Sequence, residues 1–338
     1  MKCYKAFTMN PLTKNKECIV GLSPMDDITD LPFRELCKEF GANLLITEFI
    51  ASEALNRDAE KSLRKMRFTP EQQPIGIQIF GADEEELLRC LEVVEQAEPD
   101  FIDINWGCPV RKVAGKGAGS GILQDIPKML RITDNMVRHA HLPVTVKTRL
   151  GYSTDSMMIT DFAEALQDTG IAALSIHGRT KTQMYSGSAD WTLIGEVKNN
   201  PRMHIPIFGN GDIVTAAQAV ESKNRYGVDG ILIGRGAIGN PWIFEQCQRA
   251  FHGEPEREIT VAERVDVCRR HLLAAVDFKG ERTAIFEMRK HYGNYFKGLL
   301  NFKPFRLALV STPSLEETLT VLDNIKEHYS TQNRNQQA

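Results

Sequence analysis

No two of the seven cysteines (Cys3, Cys18, Cys37, Cys90, Cys108, Cys247 and Cys268) stand close enough to form a CxxC or similar ligand pair. That spacing argues against a zinc or iron–sulfur centre. Their odd number and irregular intervals suit free thiols in a reducing cytoplasm, not a disulfide framework. No apolar run approaches the ~20 residues of a membrane span. The first eighteen residues lack an apolar stretch, so no signal peptide is expected. Excess charge is missing too: the net formal charge is −3, so any polyanionic partner must be met by a local basic patch. What remains is an ordinary globular chain of 338 residues, 42% hydrophobic and 25% charged, long enough for one large domain and a smaller one.

Short β-branched runs bounded by turn residues recur along the first 233 residues. They predict strands at Cys18–Leu22, Asn43–Thr47, Ile75–Phe80, Phe101–Asn105, Val144–Thr148, Ala172–Ile176, Ile205–Phe208 and Gly230–Ile233. Each is nearly apolar throughout, as a strand buried on both faces must be. Amphipathic stretches alternate with them, at Asp30–Phe40, Asp83–Gln96, Pro127–His139, Asp155–Thr169 and Val214–Lys223. Eight such units predict a closed (β/α)8 TIM barrel over residues 1–250. A doubly wound sheet is the alternative, but no GxGxxG follows the first strand. After Phe251 the pattern changes to helices alone. His252–Pro255 reads as a linker, and a small all-helical domain is expected over 256–330. Thr260 with Glu263 and Ser314 with Glu317 read as capping boxes. The polar residues 331–338 read as a disordered tail.

Most of these apolar strands end in residues that do chemistry. Ser23-Pro24-Met25 follows the first and Glu48 the second. Gln78 is assigned to the end of the third, Asn105 and Cys108 to the fourth, and Lys147 and Arg149 to the fifth. His177 and Arg179 follow the sixth, Asn210-Gly211-Asp212 the seventh and Gly234-Arg235-Gly236 the eighth. In a barrel those ends share one rim, where active sites of this fold lie. So many polar groups at strand ends imply a polar ligand. The last two loops suit a phosphate, with backbone N–H groups and Arg235 as partners. Lys147 has two functional readings. It can stabilise negative charge on a reduced flavin, or form a Schiff base as in aldolase-type barrels. Gln78 and His177 favour the flavin, whose ring edge needs amide and imidazole partners.

The run Ile102-Asp103-Ile104-Asn105-Trp106-Gly107-Cys108-Pro109, with Val110-Arg111-Lys112 and Gly117-Ala118-Gly119-Ser120 after it, resembles the tRNA-dihydrouridine synthase family, its bacterial B-type subgroup most of all. Thr29 to Arg34, Gln78 to Gly81, Val146 to Arg149, His177 to Thr180, Asn210 to Ile213 and Ile233 to Ala237 carry the likeness in the same order. The resemblance implies bound FMN contacted by Ser23, Pro24, Met25, Gln78, Lys147, His177, Asn210, Gly211, Asp212, Gly234 and Arg235. It implies Asn105 at the target uracil and Cys108 as proton donor. Arg111, Lys112 and Arg179 are implied as RNA contacts, and NADPH as reductant, with NADH an alternative. Ser23 replaces the family's usual alanine. Trp106 replaces a frequent methionine, and is expected beside the flipped base.

The reaction so implied takes hydride to C6 of uracil from reduced FMN and a proton to C5 from Cys108. An unperturbed thiol is largely protonated at neutral pH. Cys108 sits between Gly107 and Pro109, before a glycine-rich loop expected to move. A base in folded RNA must be splayed out first. The helical domain is the expected grip: residues 255–310 hold 11 Lys or Arg against 7 Asp or Glu. The clusters Arg269-Arg270-His271 and Arg289-Lys290-His291, with Lys297 and interleaved Tyr292 and Tyr295, are the expected tRNA surface, Arg289 and Lys290 foremost. No obligate protein partner is expected. Three alternatives compete. A dihydroorotate dehydrogenase-like flavoprotein would not need the basic tail. A Schiff-base lyase would hold no flavin. A non-enzymatic RNA-binding protein would not need Cys108.

Overall fold

The apolar runs form nine parallel strands in the computed structural model, which describes residues 18–156 and 158–337, the last seven by backbone alone. They are β1 (Ile19–Leu22), β2 (Leu45–Ile46), β3 (Ile50–Ala51), β4 (Ile75–Phe80), β5 (Phe101–Trp106), β6 (Val144–Arg149), β7 (Ala173–His177), β8 (Ile207–Asn210) and β9 (Gly230–Ile233). Their order is β1-β9-β8-β7-β6-β5-β4-β2, with β3 also on β4. A parallel bridge from Gly21 to Leu44 brings β1 against β2 and closes the barrel. The second predicted strand, Asn43–Thr47, is thus shortened to β2, and an unpredicted piece, β3, follows it along β4. Between them the Thr47 hydroxyl, not a backbone carbonyl, accepts from Gln78 N–H at 3.0 Å.

Seven longer helices cover the strands: α1 (Leu31–Glu39), α2 (Glu84–Gln96), α3 (Ile126–His139), α4 (Ile159–Asp168), α5 (Thr192–Asn199), α6 (Ala216–Tyr226) and α7 (Ile243–Phe251). Local chemistry starts several of them. Asp30, Asp83 and Asp125 each accept a backbone N–H of the first turn, and Thr215 with Gln218 forms a full capping box. No regular element occupies 252–260. Then follow α8 (Val261–Lys279), α9 (Glu281–Tyr295), α10 (Lys303–Ser311) and α11 (Leu315–Gln337). Thr260 caps α8, but Glu263 does not complete the box: its carboxylate takes Arg257 and the Trp242 indole N–H instead. The backbone of 331–337 continues α11 where a disordered tail is predicted. The amino-terminal segment through residue 17, with Cys3, and also Met157 and Ala338, lie outside the described residues.

Strand alternation sorts the barrel interior. Ile19, Leu44, Ile46, Phe101, Ala173, Phe208 and Leu232 form an apolar plug at its base. Two residues along β5 from Phe101 comes Asp103, and two more bring Asn105. The register pairs Asp103 with Gln78 on β4 and Thr145 on β6, and Asn105 with Lys147. A polar stack therefore rises from the plug to the C-terminal rim.

Candidate active site

The rim surrounds a cavity of about 770 Å³. Ser23, Pro24, Met25, Asn105, Cys108, Lys147, His177, Asn210, Gly211, Asp212, Gly234 and Arg235 all line it, as do Asp26, Arg149 and Tyr185. Barrel topology and strand parity thus bring together side chains drawn from six of the barrel's strand ends and the loops that follow them.

Cys108 is 7% exposed. Burial, chiefly, raises its thiol pKa; Lys147 and Arg149 pull the other way without reversing it. At neutral pH it therefore carries its proton. Its backbone is pinned, in part by Ser120 of the glycine-rich loop that is expected to move. Asn105 Oδ1 accepts from Gly107 N at 3.0 Å and Cys108 N at 2.8 Å. The Arg149 Nε–H donates to Gly107 O at 2.7 Å, and Ser120 donates to Cys108 O from both N and Oγ. Arg149 also donates to Thr180 O and Met184 O, tying the two loops together.

The same cavity holds a set of cations. Lys147 Nζ reaches Asn210 Oδ1 at 3.1 Å, and burial, then the Arg149 charge, lowers its pKa to about 8. Burial and the surrounding cations hold His177 neutral throughout the physiological range. Asp212 is the counterion. It accepts from Arg179 at 2.9 and 2.7 Å, from Arg235 at 2.8 Å and from Ala189 N at 2.8 Å. Burial alone would raise its carboxyl, but these donors and charges hold it below the ordinary carboxylate value. The two loops meet backbone to backbone. A Cβ on Gly236 would stand 2.3 Å from Ile213 O, and Gly211, at φ +130°, would put one 2.6 Å from Ala189.

Several expected residues stand elsewhere. Gln78 is in the middle of β4, fully buried below the rim, bonded to Asp103 and Asn105. Arg179 is 2% exposed, and its guanidinium is engaged by Asp212, Ser186 O and Gly187 O, so it is a staple within the loop. Trp106, expected beside the target base, points outward and donates to Thr133 Oγ1 of α3 at 3.0 Å. Strand parity requires this, since Asn105 faces in. The helical-domain clusters are divided, with their imidazoles and phenols internal and two of their arginines in ion pairs. His271, His291, Tyr292 and Tyr295 are buried; Arg269 pairs with Asp323 and Arg270 with Glu39. Arg289 lies over the Phe286 ring and donates to Thr312 O. Arg111, Lys112, Lys290 and Lys297 remain exposed, and Lys290 Nζ donates to Asp27 O on the rim.

Sequence reading put Arg149 on the rim but gave it no role, and it left Tyr185, Asp26 and Asp103 out of the site. Arg149 had a signal, being two residues beyond Lys147 on the same strand face. Tyr185, in a polar loop, had none. Asp103 is buried and bonded to Gln78 and Thr145, and burial raises its carboxyl to about 6.

A family model described as dihydrouridine synthase matches residues 21–332. A probable tRNA-dihydrouridine synthase of Rickettsia conorii is 35% identical over 311 residues, 91% of this chain and 92% of that one. The tRNA-dihydrouridine synthase B of Xanthomonas axonopodis pv. citri is 36% identical over 304 residues, 89% and 91% of the two chains. That of Pseudomonas aeruginosa is 35% identical over 286 residues, 84% and 86%. Among solved structures, histamine dehydrogenase from Rhizobium aligns with a TM-score of 0.53 at 13% identity, over 75% of this chain and 48% of that one. A morphinone reductase variant in complex with tetrahydroNAD aligns at 0.50 and 13%, over 72% and 89%. These two likenesses establish the barrel fold alone.

Proposed function

The chain belongs to the dihydrouridine synthase family, and on that footing we propose that it reduces the C5–C6 double bond of uridines in tRNA, with FMN as its flavin and NADPH as reductant. It is an NAD(P)H-dependent oxidoreductase and a flavoprotein. The observation that carries the reading is one cavity lined by both a protonated thiol and buried cations.

The residues fit the cofactor. Lys147 is a buried ammonium at the cavity wall, hydrogen-bonded to Asn210. A cation so placed favours an acceptor in the cavity. The glycine loops after β8 and β9, with Arg235, suit the phosphate. Lys147, His177 and Asn210 would hold the ring, and Ser23 to Met25 its far edge. When bound, the flavin supplies the two electrons, taken up by uracil as hydride at C6. Cys108 gives its proton to C5, and Arg149 and Asn105 keep the thiol's backbone in place. Arg111, Lys112 and Lys290, exposed beside this mouth, are assigned to tRNA phosphates. No helix among the described residues is long and apolar enough to cross a membrane, and we assign the enzyme to the cytoplasm, acting without an obligate protein partner.

Two results test this. FMN-loaded protein, reduced anaerobically by NADPH, should be reoxidised by tRNA lacking dihydrouridine but not by free uridine. Reoxidation by a free pyrimidine alone would point to a small-molecule reductase instead. Lys147 is cationic below its pKa of about 8 and neutral above it. FMN affinity, read by fluorescence quenching, should therefore weaken as pH rises through that value. Lys147→Met should bind more weakly and lose that pH dependence; an unchanged profile would remove Lys147 from the site.

A further inference from the structure

Beneath the cavity, a chain of amides ends on a group that the proposed reaction does not use. Gln78 Nε2 donates to Asp103 Oδ2 at 2.5 Å. Asn105 Nδ2 donates to Gln78 Oε1 at 2.7 Å. Asn105 Oδ1 then accepts the N–H groups of Gly107 and Cys108. A side-chain amide has a donor end and an acceptor end, and flipping it exchanges them. Here both termini forbid a flip. The Asp103 carboxylate, whose other oxygen accepts from Thr145, demands a donor from Gln78. The two backbone N–H groups demand an acceptor from Asn105. Each orientation fixes the next, through fully buried Gln78 and Asp103.

We propose that Asp103 is a positioning residue for the acid: through Gln78 and Asn105 it sets the backbone of Gly107–Cys108, and so the place of the Cys108 thiol over the ring of the substrate. The strand register builds this relay, because Gln78, Asp103 and Thr145 share one row across three strands. It implies that Asn105, expected to meet the uracil, has its side chain committed to the Cys108 backbone. It also gives Gln78 a task beneath the cofactor site instead of within it. The inference rests on the dihydrouridine reading only for its effect on turnover. Its effect on the thiol can be read without any substrate.

The test follows the rate at which iodoacetamide alkylates Cys108, located by peptide mapping, beside dihydrouridine formation in tRNA. Asp103→Leu keeps the volume and removes the acceptor. It should speed alkylation of the loosened Cys108 and slow product formation by roughly 10²-fold, the scale of an ångström-sized misplacement. Asp103→Asn can still offer an oxygen to Gln78 and its NH2 to Thr145, so it should restore both readouts. In an Asn105→Ala background, where the relay is already cut, Asp103→Leu should add nothing. If the leucine variant does not fold, Gln78→Met breaks the next link with a side chain of similar length and should give the same pair of effects. Unchanged Cys108 alkylation in the folded variant, or effects of Asp103→Leu and Asn105→Ala that multiply, would overturn the relay. If wild type makes no dihydrouridine, the functional reading fails while the alkylation data still decide the relay.

Discussion

Cys108→Ala is expected to slow dihydrouridine formation by roughly 10²- to 10⁴-fold, the usual worth of a placed general acid. Reduction of the bound flavin by NADPH should stay within about twofold of wild type, since no proton from Cys108 enters that half. The argument is geometric first. Cys108 lines the cavity, and its two neighbouring peptide groups are held by Asn105, Arg149 and Ser120. Electrostatics follow. Burial keeps the thiol protonated, which suits an acid and disfavours a thiolate nucleophile. The other described cysteines, Cys18, Cys37, Cys90, Cys247 and Cys268, are buried in the core and outside the cavity. Stopped-flow absorbance of the flavin separates the two halves. Equal slowing of both would mean that the substitution damages the cofactor site, and Cys108 would lose its assignment as acid.

Phe33→Ala is expected to destabilise the protein by about 3–5 kcal/mol, the usual cost of emptying a buried aromatic site. Phe33, on α1, is fully buried. It stacks on His271 of α8 with centroids 5.2 Å apart and meets His291 of α9 edge-on at 4.9 Å. Burial keeps both imidazoles neutral, His271 with a pKa lowered to about 3, so this contact is packing and not a charge pair. The ends of α1 are held as well, by Lys279 on Asp30 and by Arg270 on Glu39. The helical domain thus grips the helix that follows the cavity-lining segment Ser23 to Met25. Loss of Phe33 should therefore lower flavin affinity along with the urea midpoint. A midpoint shift equivalent to less than 1 kcal/mol would show that the domain contact does not support the barrel.

Much of this was legible before the structure. β-branched runs marked the strands, and the amphipathic period marked the helices between them. The rim residues followed from strand ends, because a barrel gathers those ends by topology alone. Errors came where parity or distance decided. Gln78 was assigned to the tip of an apolar run and Trp106 to the cavity. Alternation from Asn105 sends Trp106 out toward Thr133, so that error was avoidable. The basic clusters misled for another reason. His271, His291, Tyr292 and Tyr295 lie on the buried stripe of their helices, spaced as core positions are. The partners of Arg269 and Arg270, Asp323 and Glu39, are far away in sequence. Arg179 likewise finds Asp212 across 33 positions. A lone sequence does not show such pairings.

The central claim is tested most directly by the product. Purified protein with FMN and NADPH would be incubated with tRNA lacking the modification, and its nucleosides resolved by mass spectrometry. Uridine converted to a species heavier by two hydrogens, dependent on NADPH and lost in Cys108→Ala, is the predicted result. No such nucleoside from folded, flavin-loaded wild type across a varied tRNA pool would contradict it.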